Sequence, residues 1–134
     1  MVLRYLLDTN ICIYIINARP QHVLERFRQV SIGDIGISSI TAAELAFGVM
    51  KSGSERNRRA LEMFFAPLEL YPFDATAIWH YGEIRLDLER RGKPIGPLDT
   101  MIAAHAKALD AVLVTNNSRE FSWVPGLNIE NWAE

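Results

Sequence analysis

The chain has 134 residues, 49% of them hydrophobic, and a formal net charge of −2. That length fits one domain, residues 1–134, able to bury a core of its own, and a single cysteine, Cys12, excludes an internal disulfide. The acidic balance weighs against a simple electrostatic binder of nucleic acid, so any contact with an anion rests on local charge.

Two basic groups stand out: Arg56, Arg58 and Arg59, then Arg85, Arg90, Arg91 and Lys93. Each reads either as a solvated helix face or as a set of bases around an acidic site. The N-terminus lacks a signal-peptide pattern, and no apolar run is long enough to span a bilayer. A cytoplasmic protein with no membrane association is therefore expected.

Residues 2–7 read as an apolar strand ending at Asp8. A short helix over 10–17 follows and is broken by Ala18-Arg19-Pro20. Residues 21–29 give a second helix with Val23 and Phe27 on its apolar side. A strand over 35–37 leads to a helix over 41–50, ended or bent by Lys51-Ser52-Gly53-Ser54. Residues 55–65 are helical again, with Leu61, Phe64 and Phe65 inward. A third strand spans 68–71. Asp74 starts a long helix to about Arg91, stopped by Gly92-Lys93-Pro94. Pro97 opens a helix to about Ala108. Residues 111–115 form a strongly apolar strand, and 127–129 a weak last one. Short apolar strands alternating with helices indicate a parallel sheet covered on both faces, with ligands bound beyond its carboxyl strand ends. The segments after the first, second and fourth strands should therefore meet at one edge.

Three acids fall on that edge, each with a second explanation. Asp8 follows a buried strand, where a carboxylate needs a cation or donor, yet it could equally cap the helix after it. Glu44 completes Thr41-x-x-Glu44, which also matches a capping box. Asp99 lies in the first turn after Pro97, where an acid also favours the helix dipole. Thr115-Asn116-Asn117 offers hydrogen bonds to a carboxylate or to water, and Glu120 could add a fourth acid. Acids without His or Cys partners suit Mg²⁺ or Mn²⁺ rather than Zn²⁺, and phosphodiester cleavage is the chemistry that uses such a site.

Four segments occur in order: Leu-Asp-Thr-Asn from residue 7, Ile-Ser-Ser-Ile-Thr-x-x-Glu-Leu from 37, Gly-Pro-x-Asp-x-x-Ile-Ala from 96 and Thr-Asn-Asn-x-Arg-Glu-Phe from 115. Together they resemble the PIN-domain ribonucleases, specifically the VapC toxins of type II toxin–antitoxin pairs, over essentially the whole chain. The resemblance implies a three-layer α/β/α fold with a central, mostly parallel sheet. It implies Asp8, Glu44 and Asp99 as metal-binding acids; the mechanism expected for such a site has Asp8 and Asp99 as direct ligands and Glu44 completing the site or orienting water. Where the family often carries a further acid this chain has Asn117, which leaves Glu120 as the nearest candidate. The resemblance also implies a homodimer, a VapB-like antitoxin that blocks the site in a higher-order complex, and structured RNA as substrate. The subgroup looks like toxins that cut initiator tRNA in the anticodon loop. Arg85, Arg90 and Lys93 are candidates to hold the RNA backbone.

Two other classes compete. A phosphatase with Asp8 as covalent nucleophile expects an acid two positions later, where Asn10 stands. A PIN-like module that only binds would have no need of the three acids; a receiver domain would want adjacent acids near the N-terminus. His22, His80 and His105 share no ligand spacing and read as structural. Trp79, Trp123 and Trp132 read as core or interface anchors, Asp74 as a helix cap, and Cys12 as a buried inert thiol.

Overall fold

The computed structural model describes residues 4–134. In chain order it has β1 (Tyr5–Leu7), α1 (Thr9–Asn17), α2 (Gln21–Gln29), a 3₁₀ turn (Ile32–Asp34), β2 (Ile35–Ser38), α3 (Ser39–Ser52), α4 (Glu55–Phe65), β3 (Glu69–Tyr71), α5 (Ala75–Arg90), α6 (Pro97–Ala108), β4 (Val112–Val114), α7 (Ser118–Phe121) and β5 (Ile129–Glu130). Residues 2 and 3 of the expected first strand lie outside the described residues.

The five strands form one sheet in the order β3-β2-β1-β4-β5, and every pair is parallel. The expected mostly parallel sheet is thus wholly parallel. Side chains alternate across it, as strand periodicity requires. Tyr5, Leu7, Ile35, Ile37 and Val114 face one core, built with Ile11 and Ile15 of α1, Val23 of α2, Leu45 of α3 and Leu61 of α4. Leu6 and Leu113 face the other, built with Ile84 and Leu88 of α5, Ile102, Ala103 and Ala106 of α6, and Phe121. Helices cover both faces, which explains why β1 and β2 are buried at every position.

Local punctuation sets the helix bounds. Gly53 ends α3 in the left-handed region, at φ 63°, where a glycine carries no steric cost. Asp74 caps α5 by accepting from Ala77 N at 3.2 Å, as expected. Pro97 occupies the first turn of α6. One boundary moves: α3 begins at Ser39, two residues earlier than the sequence reading, because Ser38 is its cap and accepts from Ile40 N at 3.1 Å. The segment after β4, read as a polar turn, winds into the short helix α7, with Phe121 fully buried beneath it.

The strand order reverses at β1: the chain runs outward through β2 and β3, then crosses back to β4 on the other side. In open parallel sheets such a reversal opens a crevice at the carboxyl strand ends. Asp8, the Ser38 segment and Thr115 all leave the sheet there.

Candidate active site

Asp8 is the fixed point of the crevice. Its backbone N–H donates to Val114 O at 2.8 Å, and its side chain is 5% exposed. One carboxylate oxygen accepts from Thr9 N at 2.8 Å, the other from Thr115 Oγ1 at 2.7 Å. Asp8 is thus the cap of α1. Burial pushes its pKa above the ordinary value, the bonds from Thr115 and Thr9 work against that, and the charge of Glu44 adds to it.

Glu44 lies one helical turn beyond Thr41 and accepts from Thr9 Oγ1 at 2.9 Å. The capping-box reading of Thr41 and Glu44 is therefore incorrect. Ser38 is the cap, Thr41 is buried inside the first turns of α3, and Glu44 bonds to α1 rather than back to its own backbone. Adjacent residues of one segment, Asp8 and Thr9, so reach both β4 and α3.

Asp99 stands in the first turn of α6, partly buried. Burial and then the charges of Asp8, Glu44 and Glu120 push its pKa from 3.8 to about 6. Glu120, on α7, therefore contributes to the same field as the other three acids. Asn117 donates its backbone N–H to Thr115 Oγ1 at 3.0 Å, so Thr115 serves the turn and Asp8 together. Asn116 donates to Tyr14 Oη at 2.8 Å. Thr9 and Tyr14 were not singled out in the sequence. The only local signal was the place of Thr9, directly after Asp8.

Among the described residues, the ion pairs are Arg26–Glu130, Arg85–Glu89 and Arg91–Asp87; none involves the four acids. Nor do any three His, Cys, Asp or Glu side chains there stand at metal-ligand spacing. The acids share a field without forming a closed cage. Partly dehydrated carboxylates outside any ion pair, all of them oxygen donors, match a hard divalent cation in donor type, though not in ligand spacing.

The basic residues are less available than the sequence indicated. Arg85 bonds Glu89 at 3.0 Å and Tyr81 Oη at 3.0 Å. Arg91 pairs with Asp87 and donates to the Trp123 carbonyl, and Lys93 lies 5.4 Å over the Trp123 ring. Arg56 instead lines, with Thr9 and Glu44, a cavity of about 600 Å³ between α1, α3 and α4. Cys12 is fully buried, and burial raises its thiol pKa well above the ordinary value. Trp132 is a core residue, but Trp79 is 75% exposed and anchors no core. His22 donates its Nε2–H to Ala133 O at 2.9 Å, while His105 is buried against Ser38.

Comparison with known proteins places this geometry. The PIN domain family matches residues 5–127. The tRNA(fMet)-specific endonuclease VapC of Salmonella typhimurium is 46% identical over 133 residues, covering 98% of this chain and 100% of that one. Ribonuclease VapC2 of Rickettsia felis is 45% identical over 130 residues, covering 96% and 97%. Among solved structures, VapBC from Salmonella typhimurium bound to DNA superposes with a TM-score of 0.92 at 46% identity, covering 98% and 99%. VapBC2 from Rickettsia felis, bound to a fragment of its promoter, gives 0.91 at 44% identity, covering 97% and 99%. Sheet order and these likenesses agree, and the chain belongs to the PIN-domain family as a VapC ribonuclease.

Proposed function

We propose that this chain is the toxin of a toxin–antitoxin pair, an Mg²⁺- or Mn²⁺-dependent endoribonuclease that cuts initiator tRNA in its anticodon loop. The observation that carries the metal-dependent reading is the pair Asp8 and Glu44 held by Thr9, with Asp99 opening α6 and Glu120 on α7 and none of the four in an ion pair among the described residues. The substrate reading is supported by the relative named tRNA(fMet)-specific endonuclease, which matches this chain over nearly its full length. The partner reading is supported by the solved relatives, which are complexes with their VapB chains.

Asp8 and Asp99 would hold the cation, with Glu44 completing the site. A bound divalent cation supplies activated water and offsets charge on the scissile phosphate. The chain's own part is to keep the carboxylates ready. Thr115 and Thr9 fix Asp8, and Thr9 holds one oxygen of Glu44. Neutralisation by a cation would draw the proton-binding affinity of Asp99 back down. The cavity beside Glu44, lined by Ile13, Ile16, Leu45, Val49 and Arg56, offers an antitoxin segment a seat next to the acids. The exposed Phe47, Met50, Met63 and Trp79 supply apolar surface for the homodimer.

The test is cleavage of total RNA by purified protein with Mg²⁺, with new 5′ ends mapped and Asp8→Ala as control. A discrete new end in the initiator tRNA anticodon loop, absent from the control, is expected. Unchanged cleavage by Asp8→Ala, or no discrete end, overturns the reading.

A further inference from the structure

His105 makes a buried contact that the nuclease reading leaves unused. It lies on α6, 1% exposed, and its Nδ1 is 2.8 Å from Ser38 Oγ, which is fully buried. Ser38 is the last residue of β2 and the cap of α3. Its Oγ already accepts the Ile40 N–H, so its own O–H is free to donate to the ring. Phe73 packs edge-on against the ring with centroids 5.5 Å apart. Phe73 N in turn donates to Ser39 Oγ at 3.0 Å. The ring thus sits where the β2–α3 junction, the β3–α5 junction and α6 meet.

The placement of that contact matters for the acids. Glu44 follows Ser38 by six positions on α3, and Asp99 precedes His105 by six positions on α6. The Ser38–His105 bond is therefore a cross-link between the two helices that carry site acids from opposite sides of the sheet. Generic packing would be met by any apolar ring. The Nδ1–Ser38 Oγ hydrogen bond adds a fixed distance and direction. Neither Ser38 nor His105 touches a site acid, so the link acts through the two helices, six positions along each. Outer groups that hold ligands in place act on metal affinity in this way, without touching the metal.

We propose that His105 is a positioning residue: through the Nδ1–Ser38 Oγ hydrogen bond it sets the spacing of α3 against α6, and with it the gap between Glu44 and Asp99. The proposal rests on the metal-site reading given above.

The test compares His105→Leu, His105→Asn and His105→Gln with the unaltered protein and with Asp8→Ala. Mn²⁺ affinity is read from the free-ion spectrum, and folding is followed by circular dichroism, with all binding measured well below each variant's melting temperature. Asn keeps an acceptor near the Nδ1 position; Gln places its amide nearer Nε2; Leu keeps volume only. Affinity in His105→Leu should fall about ten- to a hundredfold, with Asn close to the unaltered protein and Gln close to Leu. A folded Leu variant that binds Mn²⁺ normally overturns the proposal, as does an Asn variant no better than Leu. If Leu fails to fold, the Asn and Gln pair decides, and equal affinity in the two overturns it. Normal Mn²⁺ binding by Asp8→Ala removes the metal-site reading itself, and this proposal with it. Loss of binding in Asp8→Ala alone, with all His105 variants unaffected, removes only the role of His105.

Discussion

Replacing Asp99 with Asn should stabilise the metal-free protein at neutral pH. The side chain is raised from 3.8 to about 6 in the folded state, and at about 1.4 kcal/mol per pH unit that amounts to about 3 kcal/mol of unfavourable ionisation. Part of the group faces water, so screening reduces this to about 1–1.5 kcal/mol. Losing a negative charge from the first turn of α6 offsets about 0.3–1 kcal/mol of the gain. The net expectation is about 0.6 kcal/mol within a span of about 0–1.2, or about 2–3 °C in melting temperature for a chain of this size. Because the folded-state pKa lies above the unfolded one, the contribution of Asp99 to stability falls as pH rises from 3.8 through about 6 and is level above that. The Asn side chain does not titrate, so its advantage opens across that window and vanishes below it. Scanning calorimetry in chelator at low salt, across that pH range, measures the difference. Excess Mn²⁺ should reverse the order, since binding at a hundredfold excess over Kd adds about 2.7 kcal/mol to the protein that keeps its ligand. An Asn variant less stable than the unaltered protein at neutral pH, or a difference that ignores pH, would refute the reasoning.

Three further outcomes follow from the same geometry. Thr115→Val removes the hydroxyl that donates to Asp8 at 2.7 Å; it should cost about 1–3 kcal/mol in urea unfolding and weaken Mn²⁺ binding, and unchanged values in both measurements would contradict the role given to Thr115. Phe121→Ala empties a fully buried site under α7 and should cost about 3–5 kcal/mol, with a loss below about 1 kcal/mol showing that α7 is not anchored there. Cys12 should resist iodoacetamide in the folded protein and react in urea, because its thiol is fully buried and its pKa raised; rapid native labelling would count against its burial.

Much of the fold was legible because the chain is well punctuated. Pro20, Ser54 and Pro97 each mark the start of a helix whose apolar residues recur with helical period, and α2, α4 and α6 span the residues expected from sequence. The acids were legible as candidates because each follows a strand or opens a helix. What binds them to one another was not. Ser38, Ser39 and Thr41 can all cap a helix, and the choice among them depends on where β2 stops pairing, which is a tertiary fact. The Thr9–Glu44 bond joins residues 35 apart and the Thr115–Asp8 bond residues 107 apart, beyond any local pattern. The four residues of α7 are too few for a period to show. His105 carried no spacing signal, because its partner lies on another element 67 residues away.

The sheet's outer strands bear on how this molecule survives in a crowded cell. β3 is three residues long and β5 two, and β3 places Glu69 on the exposed margin. A strand joining either margin would gain only a few main-chain bonds, and at β3 it would meet a charge. Fibril growth and exchange of strands between copies therefore find a poor template here. Lasting contacts with other chains fall to the helical surfaces, where side chains rather than backbone choose the partner.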